Sequence, residues 1–419
     1  MHEFNLAVFI VSLAILIMGA IFANIERWPI SEPLIAMTGG ILCGPFFLGL
    51  LNLHEWGKTG DIMLLATRMT IAMALMATAL RLPANFFREN LSSQSIILMG
   101  GMMLMWLSSS ILFVVLFDIP ILIAALAGAI VTPTDPVVAS SIVSGKFAQN
   151  HFSKKIRLTL SFESGANDGL AFPLVALPLL LLTQSNPIDT WLFKSLLWET
   201  VGGIVLGYIA GSLAGKLIHT AHHKNWMTEK SLLASSLALA FAITGGFELL
   251  QMNSIIAIFV GGLAFNGHIG KEDDLLDEKI QKVMERLFII PIFFFIGLIL
   301  PFNHWIREGW ILVLLVVAVL LLRRIPAFFL LKIPLRHYSK IDILALGWLG
   351  PMGVTSVYYV FLVQEKVSNE FLWTAASAVI FGSTVVHGIT SPYIGRWFKK
   401  HSNAVAENND DLSSPRLDS

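Results

Sequence analysis

Charge is scarce in this sequence. Asp, Glu, Lys and Arg make up only 13% of its 419 residues, where a soluble domain carries about 25%. A long chain this poor in charge reads as many membrane spans rather than one water-covered core. Cysteine is nearly absent too. Cys43 alone excludes an internal disulfide framework and leaves the redox compartment open. Neither sign of charge is in excess, with 28 basic and 28 acidic residues, so nothing points to nucleic acid or an acidic partner. No basic n-region precedes the first apolar run. Its start, Met1-His2-Glu3-Phe4, is expected to open the first span rather than a cleaved signal peptide. No nucleotide-binding motif and no soluble domain are legible, so an ion gradient is the expected energy source.

What the chain has in abundance is apolar length. Hydrophobic residues reach 55%, and the mean hydropathy is +0.74. A span needs about 20 mostly apolar residues. Thirteen stretches are candidates, the ninth of them short, near 5–24, 33–52, 62–82, 96–117, 119–144, 158–183, 196–218, 231–250, 254–267, 286–303, 309–331, 342–363 and 370–395. Charge placement tests the count. Loops after odd-numbered spans, with the C-terminal end, hold 21 of the 28 Lys and Arg. Loops after even-numbered spans hold only Lys58, Lys194, Arg307 and Lys366, and Arg68, Arg323 and Arg324 lie inside spans. Positive charge collects on the cytoplasmic side. The N-terminus is therefore expected outside and the C-terminus in the cytoplasm. Residues 1–400 form one transmembrane unit; the polar stretch 401–419 is expected to be a short disordered cytoplasmic tail. The charged loop at 271–285 can form a short cytoplasmic helix.

Charges inside spans are costly and usually face a cavity or a partner. The fifth span contains VTPTDPVVASS, in which Pro133 and Pro136 each remove a backbone donor. Thr132, Thr134 and Asp135 place side-chain oxygens between them. A helix broken there frees polar backbone at membrane depth, tolerated where it lines a cavity or is re-satisfied by protein. A plain proline kink would leave Asp135 without a reason. The sixth span contains SFESGANDGLAF. Glu163 and Asn167 are four apart and share a face. Asp168, one residue on, points to the same region from another angle. Gly165 and Gly169 leave room for a neighbouring helix. Glu163 also reads as a structural partner of Arg324, in LLRRIPAFF on the eleventh span. The twelfth span, GWLGPMGVTSVYYVFL, is expected to break at Gly350-Pro351-Met352-Gly353.

Interrupted spans at matching places in two halves point to a transporter site at a repeat interface. The fifth span is next to last of spans 1–6, and the twelfth is next to last of spans 8–13. The expected fold is therefore an all-α polytopic membrane protein of about 13 helices, with two inverted six-helix repeats and broken fifth and twelfth helices. Other residues carry less. Arg68 reads as pairing with a carbonyl or snorkelling, Glu248 as interfacial, and His219, His222 and His223 as a solvated loop cluster that can also sense pH.

The segments TDPVVASSIVSGKFA and ESGANDGLAFP resemble the monovalent cation/proton antiporters of the Na+/H+ exchanger superfamily, first branch. They look very like the fungal plasma-membrane Na+/H+ antiporters and their bacterial relatives, and GWLGPMGVTSVYY is similar to the GPxG segment of that subgroup. The resemblance implies crossed, partly unwound fifth and twelfth helices. It implies a homodimer in the plasma (inner) membrane, with a core domain moving against a dimerisation domain. By position, Asp168 would bind the ion and the proton and Asn167 would support it. Thr134, Asp135 and Ser164 would help build the cation site, and Glu163 would pair with Arg324. Many first-branch exchangers have Arg where this chain has Met352, so a role for a twelfth-span arginine does not carry over.

The expected activity is secondary antiport of Na+, or of Li+ or K+, against H+. A carboxyl removed from water holds its proton more readily, and a hard alkali cation prefers oxygen ligands. Asp168, Thr134 and Ser164 are the expected Na+ ligands. Competition between cation and proton yields exchange if access alternates. The expected partners are monovalent cations, protons, lipid and a second copy of the chain. No cofactor and no enzymatic activity are expected. A cation channel and an intramembrane hydrolase using Asp135 and Asp168 remain as alternatives.

Overall fold

The structure is a computed structural model. It describes residues 2–20, 31–135, 138, 145–224, 226, 229–269 and 287–413. Pro136, the second half of the expected fifth span and the 271–285 loop lie outside the described residues. Among the described residues all regular structure is helical, with no strand.

In chain order the principal helices are α1 (His2–Ala20), α2 (Glu32–Cys43), α3 (Thr59–Arg81), α4 (Leu91–Phe117), α5 (Ile121–Ile130), α6 (Lys154–Thr183), α7 (Pro187–His223), α8 (Glu229–Leu249), α9 (Ser254–Ile269), α10 (Leu287–Leu298), α11 (Trp310–Leu330), α12 (Lys340–Trp348), α13 (Val354–Gln364) and α14 (Glu370–Ser413). Six have the length and apolarity to cross a membrane: α3, α4, α6, α7, α11 and, through His401, α14. A seventh crossing results if α10 and the following Phe302–Glu308 turn, bent by 55°, count as one span. Helix α14 continues to Ser413.

Local chemistry explains the starts and interruptions. Ser153 caps α6 by accepting the Ile156 N–H. Ser339 and Asp342 form a reciprocal capping box that opens α12. Within spans, Thr67 and Thr132 return their hydroxyls to carbonyls four residues back, at 2.6 and 2.8 Å, which spares lipid an unsatisfied donor. Helix α11 is interrupted at Arg323–Arg324. Pro326 has no N–H for the ladder and its ring crowds the preceding turn.

Glycine sets how closely the helices approach. On α7, Gly203, Gly207, Gly211 and Gly215 recur every fourth residue and are all buried. A Cβ on Gly207 would strike Ala257 of α9, and one on Gly211 would strike the backbone of Gly261. The opposite side of α9 meets α6, where Gly165 faces Phe259 and Gly169 faces Ile256. The expected small-residue face of the sixth span thus receives α9. Small residues let helices pack at backbone contact where lipid offers no hydrophobic drive. Large apolar side chains such as Phe9, Leu16, Val115, Leu213 and Trp310 point outward. In water such a surface would be an interaction patch; in lipid it is matched solvent.

Candidate functional site

Both expected breaks lie at the centre of the bundle. The first span-half, α5, ends at Ile130, and residues 131–135 run on without helix. The second break separates α12 from α13 across Leu349–Gly353. The two non-helical segments bind each other. Asp135 donates its N–H to the Pro351 carbonyl at 2.8 Å. Its Oδ2 accepts the Val354 N–H at 2.5 Å. Asp135 therefore caps the N-terminus of α13, where unsatisfied donors and the helix dipole favour an anion. Gly353 makes room for this cap, because a Cβ there would collide with the Asp135 carboxylate.

The carbonyl ends of the broken helices receive a cation that the sequence reading did not single out. Arg323 Nη1 donates to the Val131 carbonyl and to the Thr132 carbonyl at 3.1 Å. Its Nη2 donates to the Gly350 carbonyl at 2.6 Å. One guanidinium thus closes the C-terminal ends of α5 and α12 together. Across the second break, His387 Nε2 meets the Trp348 carbonyl at 2.9 Å, and Ser383 Oγ accepts the Met352 N–H at 2.9 Å. The guanidinium at the twelfth-span break therefore comes from α11, while Met352 is buried in the core.

The expected Glu163–Arg324 pair is present and bidentate, with both N–O distances at 2.6 Å and both side chains 2% exposed. Arg324 also donates its Nε to the Leu346 carbonyl at 2.7 Å and lies over the Phe328 ring. Gly350 leaves space for this guanidinium. Asn167 bridges the pair to the first break. Its Nδ2 donates to Thr134 Oγ1 at 2.7 Å and to Glu163 Oε1 at 3.1 Å, and its Oδ1 accepts the Thr134 N–H at 3.2 Å.

Asp168 is 1% exposed. Thr355 at the start of α13 offers its hydroxyl to the carboxylate, and Tyr359 donates to the Asp168 backbone carbonyl at 2.6 Å. Carboxylate Oδ1 has no hydrogen-bond partner. No cationic side chain pairs with Asp168 among the described residues, and its charged neighbours are Asp135 and Glu163. Of the residues singled out from sequence, Thr134, Asp135, Glu163, Asn167, Asp168 and Arg324 all meet here. Ser164 turns its hydroxyl toward the Ser161 carbonyl of its own helix, at 3.4 Å. Pro133 sits in the first break, as Gly350, Pro351 and Gly353 do in the second. Thr355 and Tyr359 were missed; both fall in the TSVYY run directly after the GPxG break. Arg68 and Glu248, which the sequence treated separately, form an ion pair at 3.3 Å.

A family model described as "Sodium/hydrogen exchanger, transmembrane" matches residues 10–397. The chain belongs to this exchanger family. Among the curated relatives it resembles, Na(+)/H(+) antiporter 2 of Zygosaccharomyces rouxii is 32% identical over 357 residues, covering 82% of this chain and 44% of the relative. The chain thus spans less than half the length of that relative. The Na(+)/H(+) antiporter of Schizosaccharomyces pombe is 27% identical over 403 residues, covering 89% of this chain and 86% of the relative. The fold matches that of the sodium proton antiporter MjNhaP1 from Methanocaldococcus jannaschii with a TM-score of 0.73, at 19% identity, over 95% of this chain and 98% of that chain.

Proposed function

We propose that this exchanger carries Na+ in exchange for H+, with Li+ or K+ as alternative cargo, by competition at the Asp168 carboxylate. One observation carries the reading. Three acids meet at the site, and two of them have fixed compensation. Glu163 is neutralised by Arg324, and Asp135 by the N-terminus of α13. Asp168 has neither, and one of its oxygens is unpartnered. A buried, uncompensated carboxylate is unstable, so its counter-charge must be supplied by something mobile. A proton and a small cation both serve, and they exclude each other.

The surrounding residues then have defined tasks. Arg323 and Asp135 hold the broken helix ends. Thr355 orients Asp168, and Asn167 fixes Thr134 against Glu163. Further cation ligands come from Thr134, Ser164, freed carbonyls and water. Ser164 needs a rotamer change to take part. Alternation of access between the two membrane faces, with the empty charged state barred from crossing, converts competition into exchange.

The wider architecture belongs to the same proposal. The chain is read as thirteen spans in two inverted repeats, supported by shorter apolar helices at Asn5–Ile17, Glu32–Cys43, Ile121–Ile130, Ala234–Leu249, Ser254–Ile269 and Val354–Gln364. The N-terminus is read as external, the C-terminus as cytoplasmic, and the assembly as a plasma-membrane homodimer. The test is purified protein in liposomes holding a pH dye, with Na+, Li+ and K+ gradients applied in turn. Cation-driven proton flux supports antiport, and its loss in a normally inserted Asp168→Asn variant supports the site. Undiminished flux in that variant refutes it. Conductance without obligatory proton counterflow would identify a channel instead.

A further inference from the structure

A half-open cavity of about 370 Å³ lies beside the site, bounded by α3, α7, α8 and α13. It has room for roughly ten waters. Its lining includes Tyr359, whose hydroxyl holds the Asp168 backbone carbonyl at 2.6 Å. The cavity therefore reaches within one side chain of the proposed ion site. Its walls carry five charges: Arg68, Lys194, Glu199, Glu248 and Lys366. Glu199 already faces Lys194 and Ser195. Glu248 is held on both oxygens, by Arg68 Nη1 at 3.3 Å and by the Ser254 hydroxyl at 2.9 Å.

The Arg68–Glu248 pair is not built like the Glu163–Arg324 pair. It is single, long and 23% and 36% exposed, so it opens at little cost. In the same position the guanidinium also lies over the Tyr358 ring, 5.8 Å from its centroid, where a cation is stabilised by the π face, so it keeps a partner when the ion pair opens. Tyr358 adjoins Tyr359, so Arg68 lies in the part of the lining nearest Asp168.

We infer that this cavity is an aqueous vestibule of the Asp168 site, in which Glu248 is a staging ligand for the incoming cation and Arg68 is its tethered competitor. The inference rests on the exchange reading above. A monovalent cation arriving in the vestibule takes over Glu248 and Ser254 as oxygen ligands while Arg68 withdraws from the acid and stays with Tyr358. From there Tyr359 and Thr355 mark the way to Asp168. With Arg68 in place the five charges sum to one net positive, which disfavours a cation; displacing Arg68 removes that barrier locally. Arg68 and Glu248 thus tune the affinity for cation from one membrane face without touching the ion at its final site.

The test compares Arg68→Gln, Glu248→Gln and the double variant in liposomes, with Na+ applied to the vestibule face. Removing Arg68 frees an acid and is expected to lower the KM for Na+, and removing Glu248 strands a cation and is expected to raise it. Each shift is roughly two- to tenfold, as expected for one charge about 10 Å away at intermediate dielectric. Both shifts shrink at high ionic strength, kcat moves less than KM, and the double variant returns toward wild type. A purely structural pair would shift both single variants the same way; that result, or unmoved KM values, overturns the vestibule. A second measurement guards against misfolded variants. In a Cys43→Ser background, Lys366→Cys is expected to react with membrane-impermeant thiol reagents from one face only, and an anionic reagent should lower the KM. Inaccessibility from both faces also overturns the inference. Absence of Na+-driven flux in the wild type would defeat the exchange reading itself, whereas flux with unmoved KM values defeats only the vestibule.

Discussion

Asp135 and Val354 lie 219 positions apart in sequence and 2.5 Å apart in the fold, carboxylate oxygen to backbone nitrogen. The contact joins the first break to the second half of the other broken helix. An N-cap of this kind contributes about 0.5–2 kcal/mol. Asp135→Ala is expected to lower the midpoint of thermal unfolding in detergent by that amount of stability. Asp135→Asn keeps an acceptor and should recover most of it. Equal losses in the two variants would show that the charge, not the acceptor, matters.

Arg323 answers three buried carbonyls at once. Each acceptor left unsatisfied costs about 1–3 kcal/mol. Arg323→Ala should therefore be among the most destabilising single changes in the chain, read as loss of monodisperse protein on extraction. Arg323→Lys retains charge but not the fork, and is expected to fall between.

The Glu163–Arg324 pair makes a different forecast. Removing one partner strands a buried charge, at about 3–5 kcal/mol. Removing both together with apolar replacements of similar size costs much less. Arg324→Met and Glu163→Leu should each destabilise strongly, and the double variant should be more stable than either. Additive losses would mean that the pair is not an isolated unit, with Asn167 as the obvious third member.

The glycine seam gives a structural control. Gly211→Leu cannot be accommodated against Gly261 without parting α7 from α9, so folded yield should collapse. Gly245, also helical, has nothing within 4 Å of a built Cβ. Gly245→Ala should be harmless or stabilising by up to about 1 kcal/mol.

Competition at one carboxylate also predicts a pH dependence. Lowering pH should weaken cation binding, because protons occupy Asp168. A cation affinity that stays constant from about pH 5 to 8, on either side of the usual intracellular range, would count against direct competition.

Much of the site was legible because charge in lipid has few excuses. Asp168, Glu163 and Arg324 each needed a partner or a task, and two prolines and a Gly-Pro-Met-Gly run announced the breaks. What stayed hidden depended on pairing across distance. Arg323 adjoins Arg324, so the two read as one feature, yet they serve different elements. Its acceptors are backbone carbonyls, which carry no residue signature. The available clue was arithmetic: two broken helices expose carbonyl ends that some donor must meet. Arg68 and Glu248 were missed as a pair for the same reason, since each alone looks like an ordinary residue near a membrane surface. For Ser164 the residue type suited the task, and only its rotamer, which composition cannot specify, turned the hydroxyl back onto its own helix.

The seam between α7 and α9 has a mechanical consequence. Two helices that touch along four successive glycines are keyed like the halves of a dovetail. Rotating either about its own axis would drive a side chain into the other's backbone. The two must therefore travel as a single beam. That beam carries Lys194 and Glu199 on the wall of the vestibule through α7, and presses Phe259 and Ile256 against Gly165 and Gly169 beside Asp168. A displacement at one place is thus geared to the other without any intervening hinge.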